Sequence, residues 1–264
     1  MRVVAVDADV IVFVSAFWQT TCTAIRAGEE GFVIDSPVLP HELEALPQVL
    51  DRSGFPVTGL LVTHGDWDHL LARHAFPEAS LGCGASTAEL LDAHADVPQR
   101  GLREFDEEHY VAGRPPLALE GIQSLPVPGR LGLGADDLEL ELHPAAGHTA
   151  DGTAYLVRRL GVLVCGDYLS PEEIPWLSPG GSAAGYLETL ERLRGLLSDA
   201  EHLVPGHGGP LEAADALRIL DEDVAYLQAV MSSPEDVTLP IGRDTGAQRK
   251  IHAENLERVR ATRR

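Results

Sequence analysis

Four apolar runs in this chain end in the same way. "LLVTHGDWDH", "LHPAAGHTADG", "LVCGDYLS" and "HLVPGHGGP" each pass from hydrophobic residues into a glycine-bearing turn that carries histidine or aspartate. Side chains at the ends of strands along one sheet edge can converge on one point, and glycine lets the backbone turn sharply there. Histidine and carboxylate together suit zinc, iron or manganese. The candidate ligands are His64, Asp66, Asp68 and His69 in the first segment, then His148, Asp167 and His207. Taken singly, each has an ordinary explanation as a surface histidine, a turn residue or a helix cap. Four segments of one design, in this order, do not reduce to that.

The rest of the chain supplies an alternation of strands and helices. Residues 2–6, 10–16, 21–27 and 31–35 are β-branched or alternating, and "RAGEEG" reads as the hairpin turn between the last two. A helix is expected over about 40–53, split at Pro47. "VTGLLVT" has the continuous apolar character of a fully buried strand. "STAELLDAHA" opens on a Ser/Thr cap ahead of a helix. The Gly-, Pro- and charge-rich stretch 98–137 is expected to hold strands near 104–112 and 122–127. Strands return in "LELELHPA", "TAYLVRRL" and "GVLVCGD", and helices at 183–199, 210–231 and about 245–262. Strands followed by helices, twice over, predict a layered α/β fold. The expected organisation is a domain over 1–210 with C-terminal helices over 211–264 packed on it.

Composition excludes several partners. A formal charge of −21 is the wrong sign for binding nucleic acid. No apolar run reaches the ~20 residues of a membrane helix. "MRVVAVDADVIVFVSAFW" is interrupted by Asp7 and Asp9 and alternates like a strand rather than a signal peptide. Cys22, Cys83 and Cys165 fit neither a disulfide framework nor a metal motif. A cytoplasmic protein acting on a small molecule is expected.

The four segments resemble the metallo-β-lactamase superfamily of metal-dependent hydrolases. That family's H-x-H-x-D-H pattern is matched by "HGDWDH", its G-H-[TS] histidine by "GHT" at 147–149, its G-D aspartate by 166–167 and its final histidine by "PGHG" at 205–208. The resemblance implies a four-layer αβ/βα sandwich of two mixed sheets with outer helices, here with a C-terminal helical appendage. It implies one metal on His64, residue 66 and His148, a second on Asp68, His69 and His207, and Asp167 bridging them. Position 66 departs, with aspartate where the family has histidine. Either Asp66 is a ligand of a more anionic site, or it is too short and one metal is weak or missing. An added oxygen donor shifts preference toward manganese or iron, with zinc the family's default.

The implied chemistry is hydrolysis. A metal-bound hydroxide, formed because zinc lowers the pKa of water to ~7, would attack a small ester, thioester or lactone. Asp68 would be both ligand and orienter of the nucleophile. Trp67, Tyr168 and Trp176 lie beside the motifs and are candidate substrate contacts. Helical projection of the last helix puts His252 and Asn255 on the inward stripe with Ile251, Leu256 and Val259, so these two are candidates for the pocket mouth. The alternatives are an iron-dependent oxygenase or other redox enzyme on the same fold, or a degenerate metal-binding domain without activity.

Overall fold

Short links make consecutive strands neighbours. Strand β3 (Thr21–Ala27) returns as β4 (Glu30–Asp35) through a turn in which Gly28 takes φ 60°, the left-handed conformation that closes such hairpins. The structure, a computed structural model, describes residues 1–134, 138–235 and 237–262. Its first sheet runs in chain order through β1 (Arg2–Asp7), β2 (Val10–Val14), β3, β4, β5 (Gly59–Val62), β6 (Ser80–Gly84) and β7 (Gln123–Leu125). Pairing is antiparallel through β4 and parallel from β4 to β7. The parallel half needs long crossovers. These are α1 (Pro40–Arg52), α2 (Ala72–Ala75), then α3 (Ala85–His94) with α4 (Asp96–Glu108).

The second sheet takes β8 (Gly129–Leu133), β9 (Leu138–Pro144), β10 (Thr153–Val157), β11 (Val162–Val164), β12 (His202–Val204) and β13 (Leu211–Glu212), again in chain order. Among the described residues only β11 and β12 of this sheet pair in parallel, with α5 (Ala183–Leu196) in the crossover. Helices α6 (Ala213–Ser232) and α7 (Gly246–Thr262) follow.

Three apolar clusters mark the interfaces of four layers. Val12, Ile25, Ile34 and Leu61 of the first sheet meet Leu140, Tyr155, Val157 and Val204 of the second. On the first sheet's outer face Phe13, Val33 and Leu60 pack with Leu46, Leu91 and Leu102 from α1, α3 and α4. On the second sheet's outer face Leu156, Leu163 and Leu203 pack with Leu190, Leu227 and Val259 from α5, α6 and α7. The αβ/βα sandwich implied by the sequence is therefore the fold, and α6 and α7 belong to one of its layers. Cys22, Cys83 and Cys165 are buried and unpaired.

Three local expectations fail. Helix α3 starts at Ala85 with Gly84 at its cap position and no side-chain cap bond, so Ser86 and Thr87 lie within its first turn instead of capping it. Helix α1 runs unbroken through Pro47, because Leu43, Leu46 and Leu50 all bury on one face and outweigh the lost backbone bond. The strand expected near 104–112 is instead the end of α4. Pro98, Leu102 and Phe105 recur at helical spacing and are its buried residues, so the 3.6-residue period overrides the local β signal.

The topology places the strand ends. Strands β4 and β5 are parallel, so Asp35 and the segment from Thr63 leave at one edge. Strand β9 is antiparallel to β10 and β10 to β11, so β9, β11 and β12 all point one way, and His148, Asp167 and His207 follow their ends. Backbone bonds from Thr21 N–H to Gly206 O and from Thr153 N–H to Thr63 O, both 2.8 Å, tie the two edges together.

Candidate metal centre

The first segment leaves β5 and makes a short 3₁₀ turn over Trp67–His69. Its entry is pinned by Gly65 N–H, which donates to buried Asp151 Oδ2 at 3.0 Å. His148 sits in the turn after β9, where Gly147 takes φ 135° and any Cβ would collide with the Tyr186 backbone. His207 follows Gly206, whose place against Asp167 Oδ1 leaves no room for a side chain. Glycine is required at 147 and 206 for these reasons.

These turns bring two groups of three side chains together. His64, His148 and Asp167 form one, and Asp68, His69 and His207 the other; within each group the ligating atoms lie within 4.8 Å of one another. Asp167 faces both. Its Oδ2 lies 3.6 Å from His64 Nε2, 3.3 Å from His148 Nε2 and 3.4 Å from His207 Nε2, while Oδ1 lies 3.2 Å from His69 Nε2. Asp68 Oδ2 is 3.4 Å from His207 Nε2 and 3.7 Å from His69 Nε2. Asp66 Oδ2 stands 3.3 Å from His148 Nε2 and 3.7 Å from His64 Nε2. Its side chain is 34% exposed against 9% for Asp68 and Asp167, which puts it at the rim of the first group.

Every histidine is oriented from behind. His148 Nδ1–H donates to Trp176 O at 2.8 Å, His207 Nδ1–H to Trp18 O at 3.1 Å, and His69 Nδ1–H to Asp35 Oδ2 at 3.0 Å. Thr63 Oγ1–H is committed to Asp35 Oδ2 at 2.8 Å, so the Thr63 hydroxyl oxygen accepts from His64 Nδ1–H at 3.0 Å. With Nδ1 occupied in all four, each Nε2 faces inward as a lone-pair donor, the arrangement in which outer partners hold metal-binding imidazoles.

The electrostatics call for a cation. Burial opposes charge on His148 and His207, yet their pKa values rise to about 9 and about 10. The opposing causes are the hydrogen bond to Asp66 and the charge of Asp167 at His148, and the charges of Glu173 and Asp167 at His207. Burial likewise opposes protonation of His69, and Asp68, Asp167 and Asp35 overcome it. Asp167 is held well below the usual carboxylate range, against its burial, by His207, His69 and His64. The carboxylates around the cluster thus favour positive charge at its centre, which protons on the imidazoles or a bound cation can supply. His64 Nε2, His69 Nε2 and Asp167 Oδ1 are buried with no hydrogen-bond partner. Unpartnered inward donors, anionic oxygens and fixed tautomers fit divalent metal ions.

The expected substrate contacts are placed differently from one another. Trp176 lines a cavity with His148, Asp167 and Glu173. Trp67 packs into an aromatic group with Trp18 and Phe105, ring centroids 5.7 and 4.8 Å away. Buried Tyr168 uses its hydroxyl within the scaffold, donating to Ala145 O and accepting from His148 N–H. The pocket-mouth placement expected for His252 and Asn255 is corrected. Asn255 is fully buried; its Oδ1 accepts from Leu177 N–H, and its Nδ2 donates to Pro175 O and Tyr226 Oη. His252 Nδ1 pairs with that same Tyr226 hydroxyl at 3.0 Å. Asn255 thus holds the strap of residues 170–178, whose Trp176 carbonyl orients His148. An inward helical stripe specifies burial and cannot distinguish a cavity wall from a neighbouring backbone.

Sequence reasoning missed Asp35, Thr63, Asp151 and Glu173. Only Asp35 had a signal: "FVID" is a fifth apolar run ending in a carboxylate. The supporting carbonyls of Trp18 and Trp176 carry no mark of residue type.

Comparison with known proteins matches residues 16–207 to the family model described as the metallo-beta-lactamase superfamily. A curated relative, the uncharacterized protein YobT of Bacillus subtilis (strain 168), is 24% identical over 162 residues, which is 60% of this chain and 65% of YobT. The chain thus spans under two thirds of that relative's length. Among solved structures, the metallo-β-lactamase family protein TTHA1429 from Thermus thermophilus matches with TM-score 0.67 and 18% identity, over 87% of this chain and 83% of that one. DIM-1 metallo-β-lactamase matches with TM-score 0.61 and 17% identity, over 86% and 97%. At these identities the structural likeness is one of fold.

Proposed function

The chain belongs to the metallo-β-lactamase superfamily, and from that premise we propose that it is a metal-dependent hydrolase of a small ester, thioester or lactone. The observation that carries the proposal is the convergence of four inward Nε2 atoms on Asp68 and Asp167, each imidazole fixed through Nδ1. His64, His148 and Asp167 would hold one divalent ion, with Asp66 at its rim, and Asp68, His69 and His207 a second, with Asp167 shared. Zinc is the first expectation. The extra carboxylate at 66 adds a hard oxygen donor and brings manganese or iron into contention. When bound, such an ion supplies an acidified water as nucleophile and polarises the carbonyl under attack.

The protein's own groups do the remaining work. Asp68 accepts a hydrogen bond from the attacking water and so orients it. Asp35 and the Trp18 and Trp176 carbonyls keep the imidazoles from rotating. Ile174 and Trp176 form an apolar wall beside His148 and Asp167. We place the protein in the cytoplasm, on its three unpaired thiols; among the described residues no helix is long and apolar enough to cross a membrane.

Metal analysis of the purified protein, with an ester, thioester and lactone panel before and after chelation, tests the proposal. One or two equivalents of divalent metal and hydrolysis that chelation abolishes are expected. Hydrolysis that survives complete metal removal would refute it. Bound iron with substrate-dependent oxygen uptake would favour the redox alternative that Asp66 keeps open, and failure to bind zinc, manganese or iron would favour a degenerate domain.

A further inference from the structure

We infer that Asp66 is a metal ligand that makes the two halves of the centre alike in donor chemistry, so that each offers a divalent ion two imidazoles, one carboxylate of its own and a share of Asp167. The inference rests on the two-metal part of the reading above and concerns the one residue that departs from the family's pattern.

Distances around the cluster repeat from one half to the other. Asp66 Oδ2 lies 3.3 Å from His148 Nε2 and 3.7 Å from His64 Nε2, and Asp68 Oδ2 lies 3.4 Å from His207 Nε2 and 3.7 Å from His69 Nε2. Asp167 stands within 3.6 Å of all four Nε2 atoms. The outer supports repeat as well. In each half one imidazole donates to a backbone carbonyl, His148 to Trp176 O and His207 to Trp18 O. The other is tied to Asp35, His69 directly and His64 through Thr63 Oγ1. Asp35 thus serves both halves from behind, as Asp167 serves both from the front.

The chain between the two carboxylates explains how they reach different halves. Asp66 and Asp68 flank Trp67, whose indole is seated over Gly101 of α4, where a Cβ would come within 2.6 Å of the indole Cδ1, and against Phe105 at 4.8 Å between ring centroids. With the middle residue anchored, the carboxylates on either side of it are held apart, one at each pair of imidazoles. Charge follows the same division. Once Asp167 is shared, each half sets the same negative charge against its ion. Histidine at 66 would remove one unit from the first half alone and give it three nitrogen donors against two. What stays unequal is enclosure, since the Asp66 side chain is 34% exposed and that of Asp68 9%. Mixed imidazole and carboxylate donors suit zinc, manganese and iron, and equal donor sets leave the centre no difference of ligand type by which to sort two kinds of ion between its halves.

Cadmium NMR of the cadmium-loaded protein is the test, because the chemical shift of the bound ion reads its donor atoms and cadmium stands in for zinc. Two resonances lying close together are expected. In Asp66→His one of them should move downfield, as nitrogen replaces oxygen, while the other holds its place. In Asp66→Ala the same resonance should move or vanish, with the circular dichroism spectrum unchanged. The alanine variant adds no bulk to the rim, so it keeps the test decisive if histidine is not accommodated. Two widely separated resonances in the parent protein would overturn the inference, as would a single bound cadmium ion. Resonances indifferent to both substitutions would overturn it too, leaving Asp66 without a bond to metal. Turnover of the ester, thioester and lactone panel by the zinc-loaded protein reports on the hydrolase proposal separately, since a matched pair of ions can bind in a protein that hydrolyses none of them.

Discussion

Replacing Asn255 by leucine keeps the branching and heavy-atom count of the side chain and removes three hydrogen bonds at a fully buried position. These are Leu177 N–H to Oδ1 at 2.8 Å, and Nδ2 to Pro175 O at 2.6 Å and to Tyr226 Oη at 2.9 Å. Tyr226 keeps its contact with His252. Leu177 N–H and Pro175 O lose the partner α7 gave them, and each orphaned buried group costs about 1–3 kcal/mol. A loss of roughly 2–6 kcal/mol follows. For a chain of this size each kcal/mol moves the melting temperature by about 2–4 °C, so a fall on the order of 10 °C is expected. The second consequence is at the metal centre. Pro175 and Leu177 flank Trp176, whose carbonyl accepts from His148 Nδ1–H, so a loosened strap should lower metal affinity about tenfold or more. Thermal denaturation of the metal-free protein reads the first effect and a metal titration of the folded protein the second. A variant that melts within about 1 °C of the parent would refute the stabilising role. One that is destabilised but binds metal unchanged would refute the coupling through Trp176.

Three further outcomes are expected. Asp35→Asn puts an amide NH2 either at the Oδ2 position, where both His69 Nδ1–H and Thr63 Oγ1–H donate, or at the Oδ1 position, where the Thr63 backbone N–H donates; metal affinity should fall about 10–100-fold by titration, and an unchanged value would remove Asp35 from the site's support. Asp66→His should be accommodated at the partly exposed rim and should tighten metal binding there; weaker binding would show that the carboxylate has a specific role. Glu42 is buried, which raises its pKa, but bonds from Ser15 Oγ, Ala16 N–H and Leu39 N–H bring it below the ordinary value. A depressed carboxyl stabilises the fold above its unfolded pKa of 4.5 and loses that contribution as pH falls through the folded value. Glu42→Gln should therefore lower the melting temperature at about pH 7, with the gap to the parent closing toward about pH 3; a gap independent of pH would contradict this account.

The sequence by itself determined the sandwich and the composition of the cluster. The seven candidate ligands lie in the turns that end four apolar runs, and an apolar run, a glycine, and a histidine or aspartate are local signals carried by adjacent residues. The tertiary structure decided how those ligands are held. His69 is oriented by Asp35 from 34 residues away, His148 by a carbonyl 28 residues on, and His207 by a carbonyl 189 residues earlier. Backbone carbonyls have no residue-type signature, so no pattern could mark Trp18 or Trp176 for these roles. Asn255 and His252 mark the same limit. The helical period of α7 shows that they turn inward, but which neighbour meets them depends on where the strap 170–178 packs. Glu173 is one of 41 acidic residues in the sequence. Only the fold sets that residue in one cavity wall with His148, Asp167 and Trp176.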